Sequence, residues 1–107
     1  MNYPVTPDGR YFAVRGRLWR MSDPRLAADE RKALTSELMR ARRAVGVALR
    51  GADTAALKAA RADVDAAKIK LGERGLVWWD GGAPDENRRM ATNSSYAEWW
   101  ASVPAKP

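Results

Sequence analysis

The chain contains no cysteine and no histidine. Without cysteine it cannot form disulfides, thiolate zinc sites, iron–sulfur clusters or a thiol nucleophile. Without histidine it lacks a Ser-His-Asp triad, His-ligated metals and the usual general base near neutral pH. Any chemistry would have to use carboxylates, lysine, arginine, tyrosine, serine or threonine, and no grouping of these residues in the sequence indicates a reaction. We therefore expect a non-enzymatic protein with no catalytic residue and no cofactor.

Long apolar runs are also missing. No stretch approaches the roughly 18 apolar residues that a membrane-spanning helix needs. The first residues, Met1 to Pro4, lack the basic patch followed by an apolar run that marks a secretory signal. These observations predict a cytoplasmic protein with no membrane partner. The length of 107 residues predicts a single domain spanning residues 1–107.

Three acidic residues, Asp80, Asp85 and Glu86, lie in or near a glycine-rich loop. A hard cation needs several oxygen ligands, but the alternating acidic pattern of a calcium-binding loop is missing here. Asp85 and Glu86 directly follow Pro84, which suits the first turn of a helix. The sequence therefore predicts no metal site in this loop.

Residues 1–24 predict a small antiparallel β-meander of two or three strands. A turn is expected at residues 6–9, where the sequence reads Thr-Pro-Asp-Gly, and Gly16 offers a second reversal of the chain. Residues 72–107 predict a tryptophan-rich loop with short helices, including one or two helical turns within 84–90. A terminal helix is expected at 96–101, capped by Ser94 or Ser95.

Residues 25–71 predict a long antiparallel helical hairpin, because apolar residues recur at spacings of three and four. The first helix has a start signal at Ser22, with a second possible start at Asp29 after a separate short turn. Gly51 is expected to end it, and Asp53 to cap the second helix. The fold class is therefore α+β. The predicted inner stripes are Leu34, Leu38, Ala41, Val45 and Leu49 in the first helix, and Leu57, Ala60, Val64, Ala67 and Leu71 in the second.

Five tryptophans are many for a chain of this length, and four of them form two adjacent pairs. Neighbouring side chains cannot share one pocket, so burial should divide within each pair. The buried rings would hold the meander and the terminal helix together, and the exposed rings would form a patch with tyrosine and arginine, which are enriched at protein interfaces. This pattern predicts a small adaptor that binds another protein or itself. The predicted partner-binding residues are Trp78, Trp79, Arg88, Arg89, Tyr96, Trp99 and Trp100.

The positive charge is concentrated in the first two segments, with net charges of +2 over residues 1–24, +5 over 25–71 and −1 over 72–107. In the second helix Arg61 is expected to pair with Asp65. The first helix places basic residues on the face opposite its apolar stripe, where few acids offset them. One interpretation is an arginine-rich solvated face. The other is a nucleic-acid-binding surface formed by Arg15, Arg17, Lys32, Arg40, Arg43 and Arg50.

The segments at residues 72–80 (GERGLVWWD) and 84–88 (PDENR) resemble a group of small bacterial proteins labelled "biopolymer transporter Tol". The resemblance extends to the opening TPDGRY at residues 6–11 and covers nearly the whole chain. Residues 6–14 are also similar to one strand–turn–strand of the Tol-system β-propeller. A propeller needs at least four blades of about 40 residues, whereas this motif occurs once and leads into helices. The resemblance implies no activity, cofactor or catalytic residue.

Overall fold

A computed structural model describes residues 3–104 of the chain and has an α+β fold. It contains a two-stranded antiparallel sheet, two long helices packed against each other, and short C-terminal helices. The chain divides into two compact units. The strand unit contains the described residues up to Met21 and those from Trp79 onward, and the hairpin unit is Ser22–Trp78. These units cut across the three segments predicted above, because residues 22–24 and 72–78 group with the helices and the described residues from 79 onward group with the strands.

The hairpin unit consists of α1 (Ala28–Arg50) and α2 (Thr54–Leu71). The carboxylate of Asp53 accepts a hydrogen bond from the backbone N–H of Ala56 at 3.0 Å, which confirms its predicted role as the cap of α2. Gly72 ends α2 in the left-handed conformation, with φ of 85°. The helices meet along their apolar stripes, where Leu38, Ala67 and Leu71 are buried.

The predicted start of α1 at Ser22 is wrong. Asp23 accepts hydrogen bonds from the backbone and side chain of Arg25, and this local turn separates Ser22 from the helix. The alternative of a short turn followed by a start near Asp29 is confirmed.

The prediction that Leu49 belongs to the inner stripe of α1 is also wrong: Leu49 is exposed, while Ala48 is buried. The stripe continues its alternating spacing of four and three, which leads to residue 48, and the small alanine allows a close approach to α2.

The strand unit is built on β1 (Tyr11–Val14) and β2 (Arg17–Arg20), which pair antiparallel in a hairpin. The predicted turn at residues 6–9 is confirmed by a hydrogen bond from the N–H of Gly9 to the carbonyl of Thr6 at 2.9 Å. The reversal at Gly16 is confirmed as well. Arg15 and Gly16 both have positive φ, as the two-residue turn of a twisted hairpin requires.

Both edges of the β-hairpin are covered by other segments of the strand unit. Val5 forms a bridge with Phe12, and Met90 forms a bridge with Arg17. The predicted helical turns within residues 84–90 are wrong, because this stretch is non-helical and makes a single turn, closed by a hydrogen bond from the N–H of Arg89 to the carbonyl of Glu86, before the bridge at Met90. A 3₁₀ helix (Ala91–Asn93) and α3 (Ala97–Ser102) follow, and α3 begins one residue after the predicted start. Among the described residues, no helix is long and apolar enough to span a membrane.

Candidate binding surfaces

Tyr11 is the centre of a buried polar network in the strand unit, and only 1% of its surface is exposed. Its hydroxyl accepts a hydrogen bond from the backbone N–H of Glu86 at 2.7 Å and donates one to the carboxylate of Asp85 at 3.4 Å. Burial is the main reason that the pKa of Tyr11 rises to about 12, and the two neighbouring carboxylates add to it. The hydroxyl therefore stays protonated and joins β1 to the C-terminal segment.

Arg20 is buried in the same network. Its side chain is completely covered, and its guanidinium lies 3.1 Å from the carboxylate of Asp85. Two guanidinium groups make cation–π contacts with the ring of Trp79. The guanidinium of Arg20 lies 5.9 Å from the ring centroid, and the guanidinium of Arg10 lies 4.9 Å from it. The indole N–H of Trp79 donates to the carbonyl of Ala83 at 2.9 Å. The arginine and the tryptophan thus fix the loop that follows the ring.

Tyr96 links the network to Asp8. Its ring packs edge-on against Tyr11, with centroids 5.5 Å apart, and its hydroxyl donates to Asp8 at 2.6 Å. Burial and this hydrogen bond raise the pKa of Tyr96. Burial would raise the pKa of Asp8 too, but hydrogen bonds from Tyr96, Thr6 and the Arg10 backbone outweigh it and hold that pKa below its usual value.

The network uses most of the acidic residues of the strand unit internally. Asp8 and Asp85 are bonded as described above. The buried carboxylate of Glu86 accepts hydrogen bonds from the backbone N–H and the hydroxyl of Ser95. Of the acidic residues described in this unit, only Asp80 and Glu98 remain outside these contacts. Several arginines of the unit are therefore left at its surface without a facing carboxylate.

Four exposed arginines of the unit, three of them without a facing carboxylate, lie on two paired segments, and we call this group the arginine edge: Arg15, Arg17, Arg88 and Arg89. The backbone brings them together, because residues 88–91 run antiparallel to residues 16–18. Leu18 exchanges hydrogen bonds with this segment, accepting from the N–H of Arg88 at 2.7 Å and donating to the carbonyl of Arg89 at 2.9 Å. The N–H of Ala91 donates to the carbonyl of Gly16 at 2.7 Å. All four arginine side chains are exposed.

Two residues of the arginine edge have an unfavourable backbone conformation. Arg15 has φ of 53° and Arg88 has φ of 71°, in the left-handed region that favours glycine and asparagine. Arg17 donates a side-chain hydrogen bond to the carbonyl of Arg88. Arg89 lies 3.6 Å from Glu86. The edge therefore carries arginine at two positions where a smaller residue would cost less free energy.

The paired tryptophans divide as the sequence predicted, with one ring of each pair more buried than its neighbour. Trp79 and Trp100 are each 8% exposed, whereas Trp78 and Trp99 are half-buried. Trp100 lies beside Gly16, between Arg15 and Arg17 in the sequence, within 3.7 Å of the position that a Cβ would take there. The ring of Trp99 lies next to it, with centroids 6.1 Å apart. Trp99 is therefore the more accessible ring of this pair, and it belongs to the same unit as the arginine edge.

The predicted partner-binding residues are divided between the two units. Trp78 belongs to the hairpin unit, where it packs near Gly72, whereas the other six residues belong to the strand unit. Trp79 and Trp100 are core residues, and the Tyr96 hydroxyl is bonded to Asp8. Of the predicted residues in the strand unit, Arg88 and Arg89 are exposed and Trp99 is half-buried.

A second basic surface lies on α1. Lys32, Arg40, Arg43 and Arg50 are all exposed, as their spacing predicted. None of these four side chains forms an ion pair or a hydrogen bond with any residue between positions 3 and 104. Arg15 and Arg17, which the sequence analysis grouped with them, belong to the strand unit instead. The predicted nucleic-acid-binding set is thus divided between the two units.

Sequence reasoning missed two features of the strand unit. It assigned Arg20 no role, although this side chain is buried, and it did not group Arg15 and Arg17 with Arg88 and Arg89. The second feature depends on pairing between segments more than 70 residues apart, for which the sequence holds no local signal. The described residues contain no cluster of three or more carboxylates that could hold a metal.

No family model matches this chain, and neither the curated proteins nor the solved structures that were searched contain a match to it.

Proposed function

We propose that this protein is a non-enzymatic binding module that recognises an acidic surface of a partner protein through the arginine edge and Trp99. The observation that carries the proposal is the pairing of two segments distant in sequence, which carry four exposed arginines in the unit that also contains the half-buried Trp99. Arginine and tryptophan are the residue types that contribute most at protein interfaces, because they combine large contact areas with directional hydrogen bonds.

The backbone strain at Arg15 and Arg88 supports the same proposal. A non-glycine residue in the left-handed region costs roughly 1 kcal/mol, and such costs concentrate at functional positions. Asparagine or glycine would fit both turns at lower cost. A need for guanidinium groups at these two points would account for arginine there.

The test is a capture experiment with two matched double variants. Arg15→Glu/Arg88→Glu reverses two charges on the arginine edge, and Arg40→Glu/Arg43→Glu reverses two on α1. Each variant is used as bait in nuclease-treated extract of the native host at low and moderate salt. We expect an acidic protein to be captured by the unchanged protein and by the α1 variant, and to be lost with the edge variant. Equal capture by both variants would contradict the proposal.

A second candidate function is nucleic-acid binding by α1. The observation that favours it is the set of four exposed basic residues on that helix with no partner among the described residues. Contacts to phosphates would make affinity fall steeply with salt, roughly tenfold or more between 50 and 200 mM. A mobility-shift titration tests it directly: Arg43→Glu/Arg50→Glu should abolish the shift, and absence of any shift at low salt would rule this candidate out.

A further inference from the structure

A groove of about 380 Å³ runs along one flank of the hairpin unit, and we call it the flank groove. Its walls come from both long helices and from the segment that follows α2. Five residues line it: Arg42, Val45, Arg61, Val64 and Arg74. The groove therefore combines two apolar side chains with three guanidinium groups, and it has no acidic residue in its lining.

The two valines form the apolar part of the groove. Val45 in α1 and Val64 in α2 belong to the stripes by which the helices pack, and both are only half-buried. The small residues of this hairpin, such as Ala41 and Ala67, bring the helices close but do not cover the flank. A narrow apolar strip is thus left open between the arginines.

The charge of the groove is not balanced within the described residues. Asp65, expected to pair with Arg61, forms its ion pair with Arg74 instead, at 3.0 Å. The reason is that Gly72 turns the chain at the end of α2, and Arg74 then reaches back along the helix. Arg42 and Arg61 consequently have no hydrogen bond or ion pair with any residue from 3 to 104.

We propose that the flank groove binds a small organic phosphate. Arg42 and Arg61 would hold the dianionic phosphate group, since the guanidinium fork matches phosphate oxygens in two parallel hydrogen bonds. The organic part would lie on Val45 and Val64, in keeping with ligand sites that combine an apolar lining with a few placed polar groups. Arg74, held by Asp65, adds positive charge at the margin. This proposal concerns the hairpin unit and does not depend on the arginine edge.

Phenyl phosphate is a suitable probe because it joins a phosphate dianion to an apolar ring. Titration followed by amide and methyl NMR should give saturable shifts confined to the groove residues. Inorganic phosphate should bind more weakly, because it has no apolar part to cover the valines. Arg42→Gln/Arg61→Gln should raise the dissociation constant about tenfold or more, since it removes the charge-assisted contacts that hold the phosphate group.

Lys58→Gln/Lys70→Gln is the matched control, because it removes two positive charges from the same unit outside the groove. It should change the dissociation constant for phenyl phosphate by less than about twofold, since neither lysine lines the groove and charges outside it are screened by salt. Arg42→Lys/Arg61→Lys keeps the charge but removes the fork, and should bind more weakly than the unchanged protein.

Three results would overturn the proposal. The first is the absence of saturable shifts in the groove at tens of millimolar phenyl phosphate. The second is an equal loss of affinity in the control variant, which would show that only net charge matters. The third is competition by an oligonucleotide without terminal phosphates as effective as that of phenyl phosphate, which would assign the groove to a nucleic-acid backbone.

Discussion

The two units of this chain are held together by different means. The hairpin unit packs two helices along stripes of leucine, valine and alanine, and its buried core cluster is entirely apolar. The strand unit buries a tyrosine hydroxyl, a guanidinium and a carboxylate, each with hydrogen-bonding partners. Buried polar groups must be satisfied, so they specify one arrangement of the segments that carry them. The difference shows that the strand unit combines buried aromatic rings with buried polar groups, whereas the hairpin unit relies on small aliphatic side chains.

The largest expected effect is a difference in the free energy of unfolding between alanine variants of the two rings in one tryptophan pair. Trp100→Ala should lower the free energy of unfolding by about 3–5 kcal/mol, because the ring is buried in the strand unit. Trp99→Ala should cost about 1 kcal/mol or less and should weaken partner capture instead. Urea unfolding of both variants checks this prediction. Equal destabilisation would mean that Trp99 also belongs to the core.

A smaller effect is expected from removing the central hydroxyl of the polar network. Tyr11→Phe leaves the buried N–H of Glu86 without an acceptor and should cost about 1–3 kcal/mol. Tyr96→Phe removes a hydrogen bond to Asp8, which water can replace because that contact is exposed, and should cost less. Thermal melts of the two variants give the comparison. A loss from Tyr96→Phe as large as that from Tyr11→Phe would contradict the central place of Tyr11.

In the hairpin unit, we expect stability to change with substitutions of glycine, which alter backbone freedom, rather than with the loss of side-chain hydrogen bonds. Gly46→Ala should stabilise it by about 0.5–1 kcal/mol, because alanine favours a helix interior and the new Cβ would meet only the flexible end of Arg50. Gly72→Ala is the opposite case, since its Cβ would lie 2.9 Å from that of Asp23 and its φ is positive. Helical circular dichroism during thermal unfolding should show a higher midpoint for the first and a lower one for the second. Destabilisation by Gly46→Ala would indicate that α1 needs the space.

The smallest expected effect is a loss of stability of the strand unit at acidic pH. The folded-state pKa of Asp8 lies below the ordinary value of 3.8, so its ionised form stabilises the strand unit above that value. This stabilisation is lost as the pH falls through the lowered pKa. The effect is small because the side chain is about one-third exposed. Asp8→Asn should remove this part of the acid dependence in melts below pH 4, and an unchanged pH profile would contradict the assignment.

The hairpin unit could be predicted from sequence because its signals are local. The stripe from Leu57 to Leu71 and the cap at Asp53 each depend on residues within a few turns, and both are confirmed. The start of α1 was harder to place, because Ser22 and Asp29 both carry start signals. The turn at Asp23, made with Arg25, decides between them.

The strand unit could be predicted only in part. Its turns follow from glycine and proline, but the pairing of β2 with Arg88–Met90 joins distant segments that the sequence alone did not connect. The same holds for Tyr11 and its contacts near Glu86. Arg88 and Arg89 were predicted as candidates apart from Arg15 and Arg17, and only the fold showed that the segments carrying them pair.

The most direct test of the account measures stability and partner capture together in Arg15→Asn/Arg88→Asn, with Arg40→Asn/Arg43→Asn as the matched control. Asparagine tolerates positive φ, so the edge variant should be more stable by about 0.5–1 kcal/mol per site. It should at the same time lose the acidic partner that the control retains. A variant that gains stability and still captures that partner would contradict the claim that these two arginines are present for binding.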